Sequence, residues 1–210
     1  MSMHKLFRHP GLNLTDTPDG HLAKNETLIF GFWIFLMSDL IIFGLMFAIY
    51  ITSIDAQAGG PGPKQLFDFT SLAIQTLLLL TSSLTVGFAS LTLKYNPTLG
   101  RLVMWLLVTL ALGFGFLTFE MRDFIDIASK GGVPTRSGYL SAFYGLVLLH
   151  GLHVAMGCLW LIVILVQIRV FGLINVVTTR LIRFSLFWHF LDLIWIGIFS
   201  IVFFGGWTFG

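Results

Sequence analysis

Five apolar stretches, each long enough to cross a bilayer as a helix, leave this chain few ways to fold. About 20 consecutive apolar residues span the ~30 Å hydrocarbon layer. Within that layer the backbone must satisfy its own N–H and C=O groups, so such runs become helices. The spans fall at residues 27–54, 69–93, 101–127, 137–170 and 183–204. Gly59-Gly60-Pro61-Gly62-Pro63, Asn96-Pro97 and Lys130-Gly131-Gly132-Val133-Pro134 break the helical runs between them. Residues 1–26 form a polar N-terminal tail with Lys5, Arg8, Asp16, Pro18, Asp19 and Glu26, and contain no apolar core of a cleavable signal. The expected architecture is an all-α membrane protein, a bundle of five transmembrane helices over residues 27–210.

Of the 210 residues, 56% are hydrophobic and only 10% charged. A soluble domain carries about a quarter charged residues. A net charge of +2, with its basic residues scattered between apolar runs, is too small to suggest nucleic acid, and none is expected as a partner. The single cysteine, Cys158, permits no internal disulfide and reads as a small buried hydrophobe.

Orientation follows the distribution of Lys and Arg. Lys5, Arg8, Lys24, Lys94, Arg101, Arg169, Arg180 and Arg183 share one side, against Lys64, Arg122, Lys130 and Arg136 on the other. The excess predicts a cytoplasmic N-terminus and an exported C-terminus. Tyr50, Tyr95, Tyr139 and Trp207 lie near expected helix ends, where amphipathic rings favour the headgroup level. Small residues four apart, Ser83/Gly87, Ala111/Gly115 and Gly151/Ala155, would let helices approach closely. No span repeats another, which counts against an inverted-repeat transporter.

Polar residues inside the spans are the candidate functional groups, because a charge at membrane depth must face protein, water or a partner. They are Asp39 in the first span, Glu120 and Asp123 in the third, His150 and His153 in the fourth, and His189 and Asp192 in the fifth. Inward carboxylates and histidines three apart are the pattern of metal-binding helical bundles. Depth counts against one cluster: Glu120 falls about 28 Å from the inner end of its span, His189 and Asp192 about 9 and 14 Å. His150 and His153 are expected in the inner half with the fifth-span pair, while Arg122 and Arg136 neutralise Glu120 and Asp123 at the outer rim. The expectation is an interhelical hydrogen-bond network without metal or haem, in which Asp192 or His189 bonds to His150 or His153. Asp39 is expected to face an interhelical cleft near the midplane.

Four segments carry a resemblance that extends over nearly the whole chain after the tail. They are Gly31-Phe32-Trp33-Ile34-Phe35-Leu36-Met37-Ser38-Asp39, Arg136-Ser137-Gly138-Tyr139-Leu140-Ser141-Ala142-Phe143, His150-Gly151-Leu152-His153-Val154, and Ser185-Leu186-Phe187-Trp188-His189-Phe190-Leu191-Asp192. With them the chain resembles subunit III of the haem–copper respiratory oxidases, most closely the five-helix form in cytochrome bo-type ubiquinol oxidase. The resemblance implies a non-catalytic subunit of a proton-pumping quinol:oxygen oxidoreductase in a bacterial inner membrane. It implies no cofactor in this chain, with haem and copper in subunit I, and subunits I, II and IV and phospholipids as partners. Asp39 matches an acidic position bordering a lipid-holding cleft, with Asp where cytochrome-c-oxidising relatives have Glu. Glu120 and Asp123 match a Glu-x-x-Glu pair with the second acid shortened. Subunit III of a cytochrome c oxidase is the nearest alternative. An intramembrane metalloenzyme and a small proton-coupled carrier using Asp39 and Glu120 are the others.

Overall fold

The computed structural model describes residues 19–54, 56, 69–95 and 98–204, and they are helical almost throughout. α1 covers Asp19–Thr52, α2 Phe69–Tyr95, α3 Leu99–Ser129, α4 Gly138–Phe171 and α5 Asn175–Ile198. A π-helical segment, Phe199–Phe204, continues α5, and a short 3₁₀ turn, Pro134–Arg136, precedes α4. All five helices are long and apolar enough to cross a membrane. The Gly59–Pro63 break, Asn96-Pro97, Lys64, Trp207 and most of the N-terminal tail lie outside the described residues.

Local chemistry sets the helix ends. Ser137 caps α4 by accepting from the Leu140 N–H at 3.2 Å. Gly172 ends α4 at φ 70°, a conformation that favours glycine, and its N–H returns to the Ile168 carbonyl. The α4–α5 turn is therefore only residues 172–174, and α5 begins at Asn175, eight residues before the expected Arg183. Arg180 and Arg183, which hid the helix from a hydropathy reading, ride on its first turns. This earlier start moves His189 to about 21 Å from the beginning of its helix, near the middle of the span.

α2, α3, α4 and α5 close a four-helix ring, each packed on the next, and α1 lies against α4 and α5. At the ring's centre Trp188 of α5 wedges between Gly113 of α3 and Gly157 of α4. A Cβ at either glycine would come within 3.0 Å of the indole. The indole N–H donates to Ser82 Oγ on α2 at 3.0 Å, so one side chain links the four helices. Cys158 is buried beside it, as expected. Tyr50 and Tyr139 lie near helix ends, but their rings turn into the bundle, and both are fully buried. The Tyr50 hydroxyl lies 3.4 Å from that of Tyr139 and 3.3 Å from the Val202 carbonyl. Tyr95 is 66% exposed at a helix end, where an interfacial ring belongs.

Candidate functional site: two polar regions in the bundle

The candidate residues sort into an enclosed layer and a set nearer the surface. Asp39 of α1 reaches α4, its Oδ2 3.4 Å from His153 Nε2, while His153 Nδ1 sits 2.7 Å from the Leu149 carbonyl. Donation from Nδ1 to that carbonyl leaves Nε2 facing the carboxyl. One turn along α1, Phe43 packs on both imidazoles, with centroids 5.3 Å from His153 and 6.4 Å from His150.

His150 is fully buried and boxed by rings. Phe116 of α3 meets it edge-on at 5.9 Å and Trp195 of α5 lies tilted at 5.4 Å. Neither ring nitrogen has a hydrogen-bond partner. Trp195 is itself fixed by donating its indole N–H to Thr76 of α2 at 3.1 Å. Beside His150, the Glu120 carboxyl lies against Gly151, so closely that a Cβ there would fall within 3 Å of all three carboxyl atoms. Glycine at 151 is what allows α3 to bring an acid to this face of α4.

Glu120 therefore shares a level with His150 and His153, contrary to the depth expected from the sequence. α4 is long and begins at Gly138, so His150 lies about 18 Å from that end, and Glu120 about 14 Å from the matching end of α3. Asp123 is held from α2, with Arg122 lining the same pocket. Ser71 donates to its carboxylate at 2.8 and 2.9 Å and Gln75 at 2.5 Å, neutral donors of α2 holding the acid. Arg136 instead donates to the Gly131 carbonyl at 3.1 Å.

The fifth-helix pair does not bond to the α4 imidazoles. His189 Nδ1 lies 2.7 Å from Ser83 Oγ of α2, and Asp192 is one turn further along the same face. α5 turns this edge toward α2 while its Trp188 and Trp195 face inward. Nothing in the sequence marked Ser83 as a partner beyond its small size. Gln75, an amide inside an apolar run, was a legible signal that passed unused. Among the described residues no three His, Cys, Asp or Glu side chains are grouped to hold a metal ion.

Five apolar helices around an internal layer of acids and imidazoles define a multi-span membrane protein that keeps its ionisable groups between helices. A model of the family described as cytochrome c oxidase subunit III matches residues 13–208. Cytochrome bo(3) ubiquinol oxidase subunit 3 of Pseudomonas aeruginosa is 41% identical over 91% of this chain and 90% of its own length. That of Buchnera aphidicola subsp. Baizongia pistaciae is 39% identical over 90% and 95%. Cytochrome c oxidase subunit 3 of Bacillus sp. PS3 is 38% identical over 88% and 87%. The chain belongs to the cytochrome c oxidase subunit III family and is a subunit III of a haem–copper oxidase. It is thus a membrane component of a respiratory oxidoreductase complex, assembled with other oxidase subunits.

Proposed function

We propose that the complex is a bacterial inner-membrane ubiquinol oxidase of the bo type, which reduces oxygen to water and pumps protons. In it this chain supports assembly, lipid binding and stability of the catalytic subunit. The observation that carries the reading is the 41% identity to a bo(3) ubiquinol oxidase subunit 3 over nearly the full length of both chains. Haem and copper belong to subunit I, and subunits II and IV complete the assembly. Asp39, Glu120, Asp123, His150, His153, His189 and Asp192 act as structural polar groups between helices, with no catalytic, metal or cofactor role in this chain. Its support is their engagement inside the bundle: Asp39 with His153, Asp123 with Ser71 and Gln75, His189 with Ser83. Phospholipid seats against the bundle near Asp39. The N-terminus is cytoplasmic and the C-terminus periplasmic, by the excess of Lys and Arg on one side.

Purification through a tag on this chain, in mild detergent, tests the reading. The preparation is expected to show a haem spectrum and to consume oxygen with ubiquinol, while the separated chain retains neither haem nor stoichiometric metal. Oxidation of cytochrome c instead of ubiquinol would transfer the chain to the cytochrome c oxidase branch, which the 38% identity to the PS3 protein supports. A reporter fused after Gly210 should be active only on the periplasmic side.

A further inference from the structure

α2 and α5 leave a groove of about 790 Å³ between them, walled by Leu84, Phe88 and Leu91 and reaching His189 and Asp192. From Leu80 to Lys94 it runs about 21 Å along α2, roughly two-thirds of the hydrocarbon thickness. Its apolar walls suit either an acyl chain or a helix. Its polar end does not suit an acyl chain. His189 is exposed in mid-span, and only Nδ1 is engaged, by Ser83. Asp192 lines the groove but is only 8% exposed, and its unpartnered Oδ1 is enclosed within the chain, so the open polar contact is His189. Polar groups at this depth require a partner with donors or acceptors, which lipid tails lack. Ser83 and Gly87 form a small-residue pair on the groove, where a second helix can approach closely. Gly113, Gly151 and Gly157 are small because Trp188 or Glu120 fills the space, whereas a Cβ at Gly87 would meet nothing within 4 Å.

We propose that this groove seats a transmembrane helix of another oxidase subunit, which presents a hydrogen-bonding side chain to His189. The inference rests on the chain working as an assembled oxidase subunit, as proposed above, and adds the face through which it docks. It assigns Gly87 as the point of closest approach and His189 as the polar contact. It also explains why an imidazole stands at the open edge of an otherwise hydrocarbon-compatible helix.

The test uses the purified complex, with a photoreactive amino acid at position 84 and, as control, at Ile41, which is 74% exposed on α1. Position 84 should crosslink to an oxidase subunit identified by mass spectrometry. Capture of phospholipid alone, or of nothing, overturns the proposal. Gly87→Leu should speed loss of this subunit from the complex about tenfold on detergent challenge, since bulk at a small-residue contact blocks close approach. Gly44→Leu, equally free of internal contacts, is the control for added bulk. Equal retention of the two variants overturns the docking assignment. His189→Leu separates helix from lipid: retention falls if a polar helix side chain faces it, and holds or improves if an acyl chain does, which again overturns the proposal. Loss of ubiquinol-driven activity in the unmodified complex would count against the proposed function alone and would leave the crosslink readable.

Discussion

The enclosed layer and the α2/α5 groove use the same residue types in opposite ways. In the layer, Phe43 packs on both imidazoles, Phe116 and Trp195 close in His150, and Gly151 lets Glu120 approach the helix that carries them. In the groove, Ser83 of α2 meets His189, whose imidazole keeps an open side, beside the buried Asp192. The two acids, Asp39 and Asp192, are about equally buried; the imidazoles differ, His150 being fully enclosed by rings and His189 exposed at the groove.

The largest expected effect comes from adding bulk. Gly151→Leu drives a side chain into the buried Glu120 carboxyl and should destabilise the isolated subunit by about 2 kcal/mol, within the range for overpacking. Thermal denaturation in detergent measures it. The same change at Gly87 should leave the isolated subunit within about 0.5 kcal/mol of the parent, the scale of neutral surface changes. If Gly87→Leu proves as damaging as Gly151→Leu, the groove is not open in the folded chain and the contrast fails.

Removing a partner ranks next. Asp39→Ala removes the acid facing the partly exposed His153 Nε2 in the seam between α1 and α4, an expected loss of about 1 kcal/mol. A double-mutant cycle of Asp39 with His153 should give a coupling of about 1 kcal/mol, within the range for polar pairs inside membranes. The corresponding cycle of Ser83 with His189 should be smaller in the isolated subunit, because the exposed imidazole can find other partners. Zero coupling between Asp39 and His153 would mean that the 3.4 Å approach holds nothing together.

His150 should behave in the opposite sense. Both its ring nitrogens lack partners in a box of aromatic rings, so His150→Phe replaces a polar ring by an apolar one of similar shape. Such exchanges are neutral or stabilising, and a gain of about 1 kcal/mol is expected in the thermal assay. A loss of stability instead would mean that the box is too tight for the larger ring or that the imidazole nitrogens are engaged.

Much of this was legible in the sequence, and the misreadings have physical causes. The five spans follow from apolar length alone, because a membrane leaves the backbone no other solution. The start of α5 was missed because Arg180 and Arg183 lower the local hydropathy, although charged side chains sit readily on a helix end near the interface. Depth was misjudged for a geometric reason. Counting residues from one end of a 34-residue helix placed His150 in the wrong half, and the error hid its neighbour Glu120. Partners such as Ser83, Ser71 and Gln75 were illegible because their roles depend on helix rotation, which apolar length does not encode. The burial of Tyr50 and Tyr139 escaped for the same reason: nearness to a helix end does not say which way a ring points.

The smallest expected effect sharpens the comparison most, because it lies between two consecutive residues of one helix. Ser82 and Ser83 are chemically identical and both meet α5, about 100° apart around α2, one at the packed centre and one at the groove edge. Ser82 is fully buried, accepts from the Trp188 indole at 3.0 Å and donates to the Leu79 carbonyl at 2.7 Å. Ser83 meets His189 at the groove. Ser82→Ala leaves the indole N–H without an acceptor in the packed centre of the ring, where water has no entry. An expected loss of about 1 kcal/mol reflects one unsatisfied donor. Ser83→Ala removes a bond whose other member is exposed and can reorient. In the isolated subunit it should cost about 0.5 kcal/mol, near the mean for membrane hydrogen bonds. In the assembled complex the order should reverse. The Ser82 bond is internal and its contribution to retention of the subunit is nil, whereas Ser83 positions the imidazole for a neighbouring helix. Dissociation measured beside thermal stability for both variants separates the roles. If Ser83→Ala lowers stability without speeding dissociation, the groove belongs to the chain's own fold and not to its partner.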